Sequence, residues 1–186
     1  MNKTEVLRYM RTNSKTQDEK LLALADEAIE KVENTAVPKT LCRVFNCEVR
    51  ENEVELGGYV FKSTRFSENL RGCKRVALFG ATLGIECDRM INLALSDNLS
   101  LAIALQAAAA QKIEEVCDEL EEELKKQYGA NLRQRYSPGY FDLDISEQKK
   151  VFALLELTKR IGITLSDTCE MLPTKSVTAF IGIEDS

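Results

Sequence analysis

An α+β fold, antiparallel strands flanked by helices in one domain over residues 1–186, is what this sequence predicts. Three features point to it: one segment alternates apolar and polar residues across a polar break, several others repeat at helical spacing, and strands and helices do not alternate regularly. With 186 residues, 44% hydrophobic and 30% charged, the chain can bury a core without disulfide or metal staples.

The elements follow in order. Residues 18–34, "DEKLLALADEAIEKVEN", place Leu21, Leu24, Ala25, Ala28 and Val32 on one face with charges opposite, the pattern of an amphipathic helix. Residues 40–58, "TLCRVFNCEVRENEVELGG", alternate on both sides of Arg50-Glu51-Asn52, which predicts two antiparallel strands and a tight turn. A short helix over "STRFSENLRG" should end at Gly72. A buried strand from Arg75 to Phe79, a loop from Gly80 to Gly84 and a helix are expected next. That loop reads either as a phosphate cradle or as a close turn feeding the helix. It lacks both the Walker Lys-Ser/Thr pair and the dinucleotide glycine spacing.

Asn98 to Tyr128 form one long helix stopped by Gly129. Within it Ala107 to Ala110 let another element or a ligand approach the backbone. Its acids Glu114, Glu115, Asp118, Glu119, Glu121, Glu122 and Glu123 read as a solvated face with i,i+4 partners such as Glu121 with Lys125. Ser146, with Glu147 and Gln148, opens a helix whose apolar face is Val151, Leu154, Leu155 and Thr158 and which ends near Gly162. "SVTAFIGI", Ser176 to Ile183, is a strand.

Composition excludes several function classes. A net charge of −5 argues against a phosphate-neutralising surface, so nucleic acid is not an expected partner. No apolar run reaches membrane-spanning length and no signal-peptide core opens the chain, which points to the cytoplasm. The chain has no His, which removes Ser-His and Cys-His pairs, an imidazole general base and internal imidazole metal ligands. Six cysteines show no C-x-x-C pair and sit among apolar neighbours, as buried thiols do. A site here must work by positioning and charge.

"RYSPGY", Arg135 to Tyr140, offers a cation, a hydroxyl, a Pro-Gly turn and an aromatic ring; on its own it reads first as a plain surface turn, because Pro-Gly mainly signals turns. Together with "RVALFGATLG" before it and "IGITLSDTCEMLPTKSVTAFIGI" after it, it resembles the activation domain of cobalamin-dependent methionine synthase. The likeness is greatest to the short, free-standing members of that family. It implies a binding site for S-adenosylmethionine in which Arg135 matches the family's ligand-binding arginine, and Ser137, Gly139 and Tyr140 match the turn lining a shallow groove. Glu115 is expected as an acidic contact from the long helix. The family's other acidic contact lies in an Asp-Trp motif, which a chain without Trp does not contain.

By resemblance the chain is an activation subunit, inactive alone, that supports reductive remethylation of cob(II)alamin in a cobalamin-binding methionine synthase chain. The partner carries the cobalamin, and a flavodoxin or ferredoxin supplies the electron. Two other readings stand beside it: a module that senses S-adenosylmethionine, and a scaffold that grips a corrinoid protein without the small ligand.

Overall fold

The structure, a computed structural model, describes residues 1–13, 15–129 and 131–184; Ser14, Ala130, Asp185 and Ser186, the last two closing the expected 1–186 domain, lie outside the described residues. Strands β1 (Lys39–Val49), β2 (Glu53–Leu56), β3 (Tyr59–Lys62) and β4 (Arg75–Thr82) precede a two-stranded hairpin, β5 (Thr164–Leu165) and β6 (Met171–Leu172), and the last strand β7 (Ser176–Ile183). Apart from that hairpin, the strands form one antiparallel sheet in the order β3-β2-β1-β4-β7. The helices are α1 (Lys3–Tyr9), α2 (Glu19–Thr35), α3 (Thr64–Asn69), α4 (Ile85–Asp97), α5 (Leu99–Tyr128), α6 (Gln148–Leu155) and α7 (Leu157–Ile161). The class is the expected α+β.

Successive side chains of a strand point to opposite faces, and both faces of this sheet are covered. Ala77, Phe79 and Ala81 of β4, with Ala179, Ile181 and Ile183 of β7, join a core with α1, α2, α4 and α5. Val76, Leu78 and Phe180 face a second core built with α3, α6 and α7. Two-sided burial is why "RVALF" and "SVTAFIGI" are nearly continuous apolar runs.

Several expectations need correction. β4 continues through Gly80 to Thr82, pairing with β1 and β7, so there is no glycine loop to cradle a phosphate. A side chain at Gly80 would begin 2.6 Å from Leu157 Cδ2, so the glycine serves close packing. The α3 helix stops at Asn69 rather than at Gly72. The hairpin after Leu56 was not expected: Gly57 and Gly58, with φ of +57° and +81°, form the two-residue turn that adds β3. The helix after residue 145 is capped by Asp144, whose side chain accepts from the Ser146 amide, and it breaks at Glu156 (φ +52°) into α6 and α7. Lys125 pairs with Glu122 at 2.5 Å rather than with Glu121. The short strands β5 and β6 and helix α1 were likewise unexpected.

The alanine run of α5 meets other elements rather than a ligand groove, since Ala107, Ala108 and Ala109 are buried in the first core. No disulfide joins the six cysteines; Cys73, Cys87, Cys117 and Cys169 are buried, and Cys42 and Cys47 are partly so. Burial pushes the Cys42 and Cys87 thiols up to about 11 and Cys117 up to about 12, which starves them of reactive thiolate. In a thiol-reagent time course the folded protein should therefore react slowly, Cys42 and Cys47 first, with six equivalents released only on unfolding. Rapid labelling of all six in the native state would contradict this burial.

Candidate functional site

Gly129, in the left-handed region at φ +57°, ends α5 and turns the chain back along the free edge of β7. The returning segment pairs with that edge: the Arg133 amide donates to Gly182 O at 2.8 Å, and Tyr136 and Phe180 exchange bonds of 2.9 and 2.8 Å. Tyr136 is buried in the α3 side core, so strand alternation sends its neighbour Arg135 the other way, onto α5.

There the guanidinium meets three carboxylates. Nη2 lies 2.8 Å from Asp118 and 3.2 Å from Glu114, and Nε lies 2.7 Å from Glu121. Positions 114, 118 and 121 share one helical face and all three reach Arg135; Asp118 and Glu114 remain solvated as expected, and only Glu121 is largely withdrawn from solvent. Burial pushes the Glu121 carboxyl above its usual range, an effect Arg135 partly offsets.

The turn after Arg135 is rigidly held. The Tyr140 amide donates to Ser137 O at 3.0 Å across Pro138 and Gly139, and Gly139 has φ +91°, the geometry of a type II turn. The Ser137 hydroxyl donates to Thr178 O on β7 at 2.7 Å, and the Gly139 amide donates to Leu143 O at 2.8 Å. Beyond the turn, Asp142 accepts from the Ser63 hydroxyl and from the backbone amides of Thr64 at 2.8 Å and Arg65 at 3.3 Å. Those bonds hold its carboxyl below the usual range and clamp the turn to α3. Phe141, at φ +50°, stands 85% exposed on the clamped loop beside Tyr140 at 53%.

Two depressions meet at this turn. One, of about 290 Å³, runs toward α5 and includes Glu114, Glu121, Arg135, Ser137 and Tyr140. The other, of about 880 Å³, opens toward α3 and includes Asn69, Gln134, Tyr136, Gly139 and Phe141. Arg135 and Tyr140 border both.

Of the residues expected from the sequence, Arg135, Ser137, Gly139 and Tyr140 come together. Glu115 does not join them: its carboxylate pairs with Lys112 at 2.6 Å and lies 3.8 Å from the N-terminal amine of Met1. One residue is a rotation of about 100° on a helix, so Glu114 faces Arg135 and Glu115 faces away. Glu114, Asp118, Glu121 and Asp142 were not singled out as site residues; the 114/118/121 spacing was the available signal for the first three.

A family model described as vitamin B12 dependent methionine synthase, activation domain, matches residues 5–186. No curated protein matches the chain. Among solved structures, the MetH reactivation domain bound to AdoHcy superposes with a TM-score of 0.71 at 20% identity, covering 90% of this chain and 66% of that one. The chain thus spans just under two thirds of that structure's length, and the likeness is one of fold. With its sequence matched from residue 5 to its last residue, the chain belongs to the family of vitamin B12-dependent methionine synthase activation domains.

Proposed function

We propose that this chain binds S-adenosylmethionine at the Arg135–Tyr140 turn and presents it to the corrin of a cobalamin-binding methionine synthase chain, in the cytoplasm, with residues 1–186 acting as one domain. The observation that carries the reading is the charge arrangement: one guanidinium is surrounded by Glu114, Asp118 and Glu121, which leaves carboxylates in excess beside an open turn. S-adenosylmethionine carries two positive centres, an ammonium and a sulfonium, against one carboxylate, and so complements a site of this composition. Membership of the activation-domain family and the AdoHcy held by the MetH reactivation domain support the same choice.

Each protein group has a task in binding. Arg135 offers parallel donors to the ligand carboxylate, releasing part of its carboxylate cluster to take the ammonium. Gly139, without a Cβ, lets the ligand approach the turn backbone. Ser137, bonded to β7, and Asp142, bonded to α3, keep the turn from moving when the ligand binds. When bound, the ligand supplies a methyl group to the reduced corrin cobalt of the partner, the electron coming from a donor such as flavodoxin or ferredoxin. No protein nucleophile or base is required, in keeping with a chain that has no His.

Calorimetric titration with S-adenosylmethionine tests this directly. One equivalent should bind, and its advantage in affinity over S-adenosylhomocysteine, which lacks the sulfonium charge, should widen as the salt concentration is lowered and the carboxylate excess is unscreened. Absence of any heat or thermal shift with S-adenosylmethionine would remove the reading.

A further inference from the structure

A helix that is apolar on every side belongs in an interior, yet the first turns of α5, "LSLAIALQAAAA", are apolar on every side and covered only in part. Ala102, Ala104, Leu105 and Ala107 to Ala109 are buried, while Leu99 and Ile103 stand 63% and 49% exposed. These two are one turn apart, and Gln106 and Ala110 continue the same stripe along the helix. The preceding helix, α4, spends Cys87 and Ile91 on the first core and adds Leu93 and Leu95, 72% and 50% exposed, to the outside of the α4–α5 hairpin. Leucines scattered singly over a surface need no explanation, but four large apolar side chains exposed between positions 93 and 103 form a concentration of the kind that marks an interaction site.

Charge is missing from the same place. Residues 90–111 carry one charged side chain, Asp97, in a chain of which 30% is charged. Glu86 and Arg89, next along α4, pair with each other at 2.5 Å. The exposed polar residues among the leucines are Asn92, Ser96, Asn98, Ser100 and Gln106, all neutral. An ordinary solvated face is built as α5 is built from Glu114 onward, with acids and lysines; depletion of charge around exposed apolar side chains is the composition of an interface core.

Neutrality also selects the occupant. A second copy of this chain brings its own net charge of −5, so two copies repel wherever acids line the contact. A twofold contact, moreover, sets residues near their own counterparts, where a Glu or Lys meets its like, whereas Asn, Gln and Ser carry both donor and acceptor and can bond to their copies. We propose that the α4–α5 hairpin is a homodimer interface, with Leu99 and Ile103 of two copies packing across a twofold axis and their α5 helices running antiparallel. The proposal does not depend on the ligand reading. Glu114, the first of the acids that reach Arg135, lies about 16 Å beyond Ile103 along α5 at 1.5 Å per residue, so a contact centred on Ile103 leaves the Arg135–Tyr140 turn of each copy open.

Sedimentation equilibrium of the full chain over a range of concentrations tests the contact, and should show a species of twice the 20.9 kDa chain mass. Ile103→Glu and, separately, Ile103→Lys should each raise the dimer dissociation constant at least about 100-fold, because like charges then face each other across the axis. Mixed in equal amounts, the two variants should form a dimer again, since each Glu then meets a Lys. Ile103 is half exposed, and Glu and Lys are good helix formers, so each variant should keep the parent's circular-dichroism spectrum and a single melting transition. Calorimetric titration of the monomeric variants with S-adenosylmethionine should match that of the parent, so the ligand reading stands or falls separately. A parent that stays monomeric at every concentration, or variants that dimerise as the parent does, would overturn the interface. Two monomeric variants that fail to pair when mixed would overturn the twofold contact at Ile103. A monomeric parent whose binding to a methionine synthase core is lost in Ile103→Glu would overturn the proposal as well, and assign the hairpin to that partner.

Discussion

Arg135→Ala is expected to lower S-adenosylmethionine affinity about 100-fold, because it removes the paired, charge-assisted contact proposed for the ligand carboxylate, worth about 1.5–3 kcal/mol. The same change should also destabilise the free protein. Without the guanidinium, Glu114, Asp118 and Glu121 face one another along one side of α5. Asp118 and Glu114 are well exposed and solvent screens them, so the cost falls chiefly on Glu121, whose side chain is 22% exposed. A loss of about 1 kcal/mol, or about 2–4 °C in melting temperature, is expected. Arg135→Lys retains a charge among the acids and should recover most of the stability, yet it cannot reproduce the paired donors and should stay at least about tenfold weaker for the ligand.

The pH dependence of that deficit has a definite sign. Burial holds the Glu121 carboxyl above its usual range even with Arg135 beside it, and removing the cation raises it further. A carboxyl raised in the folded state binds its proton more tightly there than in the unfolded chain, so stability falls as pH rises from the unfolded value through the folded one. The melting difference between Arg135→Ala and the parent should therefore be largest near neutral pH and shrink toward pH 4. A difference constant over that range would show that Glu121 does not depend on Arg135.

How much of this was legible in the sequence depended on whether a feature was set locally. Asn98 and Gly129 bound α5 where the sequence placed them, because each acts within one turn: Asn98 accepts from the Leu101 amide at 3.1 Å, and Gly129 adopts φ +57°. The strand at Ser176–Ile183 was equally readable, being apolar on both faces. The break between α6 and α7 was not. Arg43, on β1, donates from Nη1 to the Leu154 carbonyl at 3.0 Å, a partner 111 residues away that no local pattern announces. The turn motif was legible through its likeness to the family's motif, since its residue chemistry alone read first as a surface turn, and its acidic partners were not. Seven acids within ten residues look alike in a sequence, and only the position of Arg135 on the edge of β7 selects Glu114, Asp118 and Glu121 and passes over Glu115.

Gly139→Val is expected to abolish reactivation of a methionine synthase core without unfolding the chain. The added Cβ would first meet Ile145 Cδ1 at 3.1 Å, the mobile end of a side chain, so packing alone is a weak obstacle. The backbone is the stronger one. A β-branched residue at φ +91° costs on the order of 1–3 kcal/mol, which the turn can relieve only by giving up the Tyr140–Ser137 and Gly139–Leu143 bonds that set its shape. The wild-type chain, S-adenosylmethionine and a low-potential reductant, added to a synthase core in the inactive Co(II) state, should restore the corrin spectrum of the active enzyme. The chain without the core should transfer no methyl group, since an open groove cannot align methyl and cobalt until the corrin covers it. With Gly139→Val the recovery should be slowed at least about 100-fold, the result of losing both affinity and alignment. Catalytic cycling of a core started in its active state provides the control, because it does not call on this chain. Recovery by Gly139→Val at the wild-type rate would show that the turn geometry is not used. Failure of the wild-type chain to restore a core from the same organism, despite binding S-adenosylmethionine, would replace activation with ligand sensing, because the same carboxylate-rich turn can hold the ligand without ever meeting a corrin.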